Sequence, residues 1–343
     1  GKTILRIEIP RVTRQQRPVF LNGKWTESYV RMQEGDRLVD KEQIRRMIAD
    51  AEYDTRDHRI LDKYGIEDLH LKSFQHWRKM FASHKPDHPW LILSDFELLQ
   101  KLGAWRKDRD SKQEGLTLAG LLMFGTSEKI EEVLPDYFLD YQERADNTKT
   151  IHWIDRIYTD GTWSGNLFDF YRRVIQKLTS DLKIPFQLNK DLFRIDETRV
   201  HQALREALIN CLIHADHEGK RGIVIIRSPS EFSFRNPGSL RIPIEQILVG
   251  GQSDCRNTTL QKMFMMVGLG EKAGSGFSRI QEAWNEQHWG SPTFIEEVQP
   301  EITTLILSTE SLLSEDSLHN LVKQFGSQFL ELAPQARIAL VIA

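Results

Sequence analysis

The 343-residue chain has only two cysteines, Cys211 and Cys255. So small a number excludes a disulfide framework and favours two reduced thiols in a cytoplasmic protein. No apolar run reaches the roughly 18 residues that a membrane-spanning helix needs, so no membrane partner is expected. The opening residues read as a strand, not as a secretory signal. No charge of one sign dominates: 46 Lys and Arg against 49 Asp and Glu leave a net charge of −3. That excludes nucleic-acid binding by bulk electrostatics. A local patch is a separate matter. Arg6, Arg11, Arg14, Arg17, Arg31, Arg37, Arg45 and Arg46 crowd the start of the chain, although such clusters are more often a solvated face. There is no internal repeat and no low-complexity tract. Neither G-x-x-x-x-G-K-S/T nor a G-x-G-x-x-G after a strand occurs, which sets aside a P-loop and a Rossmann site. A starting methionine is also lacking, and residues 336–343 are an apolar run without a helix stop, so the expectation is the middle of a longer protein.

What is present is ordinary for a globular protein: 40% hydrophobic and 28% charged residues, in a chain long enough for two or three domains. Residues 3–10 read as a strand. Residues 18–21, the Asn22-Gly23 pair and residues 28–32 read as a hairpin. Asp40 caps a helix over 41–51. This block is too small to hold a core by itself. Helical spacing follows over 69–80, over 95–102 between a Ser94 cap and Gly103, and over 117–124 before Gly125. Three short helices around Trp90 and Trp105 suggest a winged-helix or linker module. A larger unit starts near residue 126. It has strands at 137–142, 151–158 and 303–308, and a hairpin of 222–227 with 232–235. Its helices run over 167–182, 199–215, 258–267 and 276–284. A last amphipathic helix over 318–332 reads as the opening of a further domain. Antiparallel strands with long helices between them imply an α+β sandwich, with one sheet covered on one face.

The chemistry concentrates on the 199–215 helix. At about 3.6 residues per turn, Val200, Ala203, Leu204, Ala207, Leu208 and Cys211 share one stripe, which should pack on the sheet. Glu206, Asn210 and His214 are spaced i, i+4, i+8 and form a polar row along the adjacent flank. A carboxylate, a carboxamide and an imidazole in one row can act on one ligand. Alone, the row is equally a polar flank with incidental hydrogen bonds. The row is accompanied, however, by Asn236-Pro237-Gly238 after a strand, by Gly250-Gly251 opening a loop through Asn257, and by Gly268-Leu-Gly-Glu-Lys-Ala-Gly274-Ser275-Gly276 directly before a helix. Backbone N–H groups at such a glycine turn make an anion site. Gly268 better suits a helix end, and Gly274 and Gly276 better suit phosphate.

Other constellations are weaker. Cys211, His214 and His217 are close in sequence, but no fourth ligand at zinc spacing follows and Cys211 falls on the buried stripe. Trp25 and Tyr29 lie near arginines and could stack on bases, yet packing within the hairpin is the simpler reading. No Ser-His-Asp or Cys-His arrangement follows from spacing.

Glu206-x-x-x-Asn210-x-x-x-His214-Ala215 resembles the N-box of the GHKL ATPase fold shared by gyrase, histidine kinases and MutL, and Gly274-Ser275-Gly276 resembles its second glycine box. More narrowly, EALINCLIHAD, NPGSL, CRN and GLGEKAGSGFSRI resemble bacterial proteins that join a Schlafen-type AlbA-like domain to a GHKL-like ATP-binding domain. Such proteins are described as transcriptional regulators or RecG-like ATP-dependent DNA helicases. The opening ILRIEIPRVTRQQRPVFLNG and SYVRMQEGD resemble the end of the AlbA-like domain.

The resemblance implies an α+β fold with a GHKL-type α/β sandwich, a mixed sheet covered by helices on one face. It implies the tail of an AlbA-like domain at 1–52, a helical or winged-helix-like linker at 53–125, a GHKL-like domain at 126–312 and the start of another winged-helix-like domain at 313–343. ATP and Mg²⁺ are the implied cofactors, and DNA and a second copy in a dimer the implied partners. Glu206 would be the general base on the attacking water. Asn210 would give its oxygen to Mg²⁺, with His214 further along the row. Gly274, Ser275 and Gly276 would hold phosphates. Residues 250–257 would form the lid, with Arg256 and Asn257 as nucleotide contacts. Asn236 and Gly238 stand where the first glycine box belongs. The wider class has an aspartate there to receive the adenine amino group; a carboxamide, which both donates and accepts, is a poorer discriminator. Two functions follow: a regulator that binds Mg-ATP and changes its domain or dimer arrangement, or an ATPase of DNA processing or phage defence. A third, a Schlafen-like nuclease, would place its carboxylates upstream of this chain.

Overall fold

The computed structural model describes residues 5, 12–24, 27–32, 35–51, 56–145, 152–180, 182, 198–270, 274–312, 315–326, 329, 332, 336 and 340. The expected strand at 3–10 (residue 5 apart), Trp25, the middle of the glycine loop at 271–273 and most of 336–343 lie outside them. In chain order the elements are β1 (Tyr29–Met32), β2 (Gly35–Leu38), α1 (Lys41–Ala51), α2 (Leu71–His84), α3 (Asp95–Leu102), β3 (Trp105–Lys107), β4 (Glu114–Leu116), α4 (Leu118–Phe124) and α5 (Ser127–Val133). There follow β5 (Leu139–Arg144), β6 (Trp153–Tyr158), α6 (Leu167–Thr179), α7 (Arg199–His214), β7 (Ile223–Arg227), β8 (Glu231–Pro237) and α8 (Ile244–Val249). The chain goes on through α9 (Thr258–Met266), α10 (Gly276–Glu286), β9 (Thr293–Val298), β10 (Glu301–Ser308) and α11 (Glu315–Phe325).

The protein is a mixed α+β sandwich. Its main sheet has six strands in the order β6-β5-β7-β8-β10-β9. All neighbours are antiparallel except β5 and β7, which run parallel with Leu139 opposite Ile223. The return between the parallel strands is made by β6, which runs antiparallel to β5, and α6 and α7 follow it before β7 begins. Along β7, β8 and β10 buried residues alternate with half-exposed ones: Ile223 and Ile225, Phe232 and Phe234, Leu305 and Leu307 face inward. One face of the sheet is therefore covered: α7 packs on β8, and α6 and α10 pack against α7.

Local chemistry sets the helix ends. The Ser94 hydroxyl accepts from the Glu97 N–H while the Glu97 carboxylate accepts from the Ser94 N–H, and Gly103 ends α3 with φ of 85°. Thr117 caps α4, Asp40 accepts from the Gln43 N–H at 2.8 Å at the start of α1, and Gly268, with φ of 78°, follows the end of α9. The α2–α4 region is not separate from the sheet. One continuous buried cluster runs from Leu61 to Leu307, and the Trp77 indole donates to the Met263 carbonyl at 3.1 Å.

The Asn22-Gly23 hairpin is a correction. Residues 21–23 close a tight turn with Asn22 at φ of 54°, and the Leu21 N–H donates to the Glu27 carbonyl. The observed hairpin is one step later, between β1 and β2, with Tyr29 opposite Leu38. Pro18, which has no N–H, removes a ladder donor from the first expected arm. Helix α11 ends at Phe325 before Gly326, and most of the expected helix beyond it lies outside the described residues. Among the described residues no helix is long and apolar enough to cross a membrane.

Candidate nucleotide site

A box of Thr198 and His201 opens α7, and the expected stripe is buried: Val200, Ala203, Leu204, Ala207, Leu208 and Cys211. Ile209, Leu212 and Ile213 are buried as well, so most of the helix circumference is packed. The half-buried row Glu206, Asn210 and His214 is the flank left over, and it lines one wall of a cavity of about 140 Å³.

The opposite wall is the turn into α10. Gly274 and Gly276 line it, and a Cβ added to Gly276 would collide with the Glu206 carboxylate. The Asn210 amide donates to Glu206 Oε1 at 3.3 Å, which leaves Asn210 Oδ1 as its remaining ligand atom. The carboxylate therefore sits at the start of a helix, where the dipole and backbone N–H groups favour negative charge. Ser275 is not part of the lining; its hydroxyl accepts from Arg279 at 3.1 Å.

The floor comes from β8 and β10. Asn236 is buried and lies directly opposite Thr303 in the strand register. Both face the cavity, and Thr303 Oγ1 donates to the Gly238 carbonyl at 2.8 Å. Gly238, with φ of 98°, lies behind the wall, and a Cβ there would press on the Arg256 guanidinium. Phe234, Phe277, Ile280, Phe294 and Leu305 give the cavity its apolar lining.

The loop 250–257 closes the remaining side. The Gly251 N–H donates to the Gly274 carbonyl at 3.1 Å, so the expected lid rests on the glycine turn. Arg256 lines the cavity but is fully engaged in bracing it: it donates to the carbonyls of His214 and Ser239 and to Asp50 Oδ1. Asn257 stands behind the wall, its amide donating to the Ile213 and Ala215 carbonyls. Arg241 and Asp254 line the same rim. Arg241 and Thr303 were not expected from the sequence, because each is placed by pairing between distant segments, while Asp254 falls within the expected loop 250–257.

Burial, then the Arg256 and Arg241 cations, hold the His214 imidazole down to about 4. Burial likewise holds His217 at about 4, where its Nε2 meets the Leu212 carbonyl at 3.0 Å. Both rings are neutral in the folded protein near pH 7. Cys211 and Cys255 are free buried thiols, with Cys255 pushed up by burial to about 12. The histidine shifts have a definite sign. Folded values lie below the ordinary 6.5, so the unfolded chain binds more protons between 6.5 and about 4. Stability is full above pH 6.5 and falls as pH drops towards 4. A thermal midpoint that stays flat from pH 7 to pH 4 would contradict this.

A family match within the sheet supports an ATPase-like domain. Residues 221–305, from β7 into β10, match the family described as "Putative ATP-dependent DNA helicase recG C-terminal", and residues 45–140 match a "Domain of unknown function (DUF8451)". Among solved structures, the crystal structure of the DIP2311 protein from Corynebacterium diphtheriae is similar in fold, with a TM-score of 0.58 and 20% sequence identity. The likeness covers 83% of this chain and 53% of that one, so the chain spans about half the length of that protein. No curated protein matches.

Proposed function

We propose that the cavity binds a purine nucleoside triphosphate together with Mg²⁺. The observation that carries the reading is the Glu206 carboxylate set against Gly276 with the Asn210 amide 3.3 Å away. Three side-chain and backbone chemistries then meet at one point: a base, a metal-ligating oxygen and an anion cradle. The cavity is half open and about 140 Å³, close to the roughly 150 Å³ that holds a single benzene-sized ring, so a purine would fill it and the ribose and phosphates would lie outside. The apolar lining, with Asn236 and Thr303, would take the base. The phosphates would lie at the mouth, along Gly274 and Gly276.

The donor set fits a magnesium-bound triphosphate. Asn210 Oδ1 would hold the ion, which takes oxygen ligands and keeps phosphate oxygens among them; when bound, it neutralises charge on the phosphates. Glu206 would orient a water and accept its proton. His214 stays neutral at the other end of the row and adds no charge near the base. Arg256, Asn257 and Gly238 shape the wall, and the loop 250–254 would move when a triphosphate enters.

In the wider protein this domain would act as an ATP-responsive module of a DNA-binding regulator, coupling nucleotide occupancy to domain or dimer arrangement. The alternative of a turning-over ATPase is favoured by Glu206 itself, because a module that only binds has no use for a base. The family description, which speaks of a DNA helicase, supports a DNA-related setting for either.

Titrating the purified protein with ATP, ADP and GTP, each with and without Mg²⁺, tests the reading. ATP binding should strengthen when Mg²⁺ is added, and Asn210→Ala should remove most of that gain. Binding that is indifferent to Mg²⁺, or no binding at all, would overturn it.

A further inference from the structure

The rim of the cavity is tied to a helix far away in sequence. Asp50, in the last turn of α1, accepts from Arg256 at 2.7 Å and from Arg241 at 2.8 Å through the same carboxylate oxygen. Its backbone carbonyl accepts from Arg14 at 2.6 Å. Arg14 in turn pairs with Asp254, which also faces Arg241 at 3.4 Å. Arg241, Arg256 and Asp254 all line the nucleotide cavity. The side chains of Arg241 and Arg256 are only 5% and 8% exposed. One carboxylate of α1 is thus shared by two buried cations of the pocket wall, alongside Asp254 at Arg241 and the nearby charges of Asp216 and Glu301 at Arg256.

The rest of the α1 attachment is polar as well. Gln43 donates to the Val298 carbonyl and accepts from Gln299. Val39 and Ile44 are buried, but neither belongs to the continuous core that runs from Leu61 to Leu307. The amide contacts of Gln43 can be regained in water when the helix leaves its seat, whereas Arg241 and Arg256, buried, need another acceptor in place of Asp50.

Resting on the nucleotide-site reading above, we propose that α1 and residues 12–17 form a clamp on the cavity rim, and that a bound anionic ligand competes with Asp50 for Arg241 and Arg256. Clamp docking and nucleotide binding are then antagonistic, and by linkage each weakens the other equally. Arg241, Arg256 and Asp254 line the cavity, and behind them Arg14, Asp50, Asp216 and Glu301 gather around the same two arginines. A phosphate that enters brings negative charge to a rim where Asp50 already occupies both arginines. If Asp50 withdraws, Arg241 keeps Asp254 and Arg256 keeps Asp216 and Glu301 nearby, but both lose the carboxylate oxygen they share, and the ligand supplies a replacement acceptor. The segment upstream of α1 would in this way sense the occupancy of the cavity.

The test uses the whole chain. ATP affinity with Mg²⁺ is measured for the wild type, Asp50→Asn and Arg14→Ala, and hydrogen exchange is followed over residues 41–51. Asp50→Asn should bind ATP about tenfold more tightly, within the roughly 5- to 150-fold span of coupling between linked sites. Arg14→Ala, which uncovers no buried arginine, should shift affinity the same way by less, and it decides the matter if Asp50→Asn does not fold. In the wild type, Mg-ATP should speed exchange over 41–51. Protection of 41–51 by ATP, or wild-type affinity in the variants, overturns the clamp while the site reading stands. No binding by any of the three proteins removes the site reading, and the clamp with it.

Discussion

Glu206→Gln should lower the turnover number for ATP hydrolysis by about 10²- to 10⁴-fold, the usual contribution of a general base, while ATP affinity changes little. The carboxamide has nearly the same shape, so it can keep its place against Gly276 and beside Asn210. It cannot accept a proton from water. A mutation that removes an interaction made only in the transition state lowers kcat without loosening binding. Phosphate release under saturating Mg-ATP, together with a direct binding titration, separates the two quantities. Equal loss of binding and turnover would mean that Glu206 holds the ligand or the wall and is not a base. Undetectable turnover in the wild type, with binding intact, would select the regulator over the ATPase.

Local features of the fold were legible because they depend on neighbours in sequence. The Ser94–Glu97 capping box, the stop at Gly103 and the Asp40 cap each rest on residues within one helical turn or at a helix end. The polar row of α7 was legible for the same reason, since residues four apart share a helix face. What was hidden is what the sheet assembles. Thr303 faces Asn236 only because β10 pairs with β8 in that register, and no spacing along the chain reveals it. The ion pairs of Asp50 with Arg241 and Arg256 join residues about two hundred positions apart. The short strands β3 and β4 are three residues each, Trp105–Lys107 and Glu114–Leu116, too brief to show a period of two. Strand β9 reads Thr-Phe-Ile-Glu-Glu-Val, whose adjacent apolar pair and adjacent acidic pair break the alternation.

The two glycines of the turn should behave differently when replaced by alanine, and the difference isolates function from stability. Gly274 has φ of 64°, and a Cβ there would also strike the Gln252 backbone. Gly274→Ala should therefore cost about 1–2 kcal/mol from the left-handed conformation alone, and should push the 250–252 segment off the turn. Gly276 has no positive φ, and the atoms its new Cβ would meet belong to the Glu206 side chain, which can swing aside. The fold should tolerate Gly276→Ala, with a thermal midpoint close to the wild type. The swing, however, takes the carboxylate away from Asn210 and fills the cradle with a methyl group where phosphate oxygens would approach the backbone N–H groups. A hydrogen bond to a charged group contributes about 1.5–3 kcal/mol. Losing one or two of them should weaken ATP binding on the order of 100-fold. Calorimetric titration beside a melting curve measures both quantities on the same sample. A Gly276→Ala protein that melts normally and binds ATP like the wild type would place the phosphates elsewhere, because a cradle holding them at that turn has no room for the added carbon.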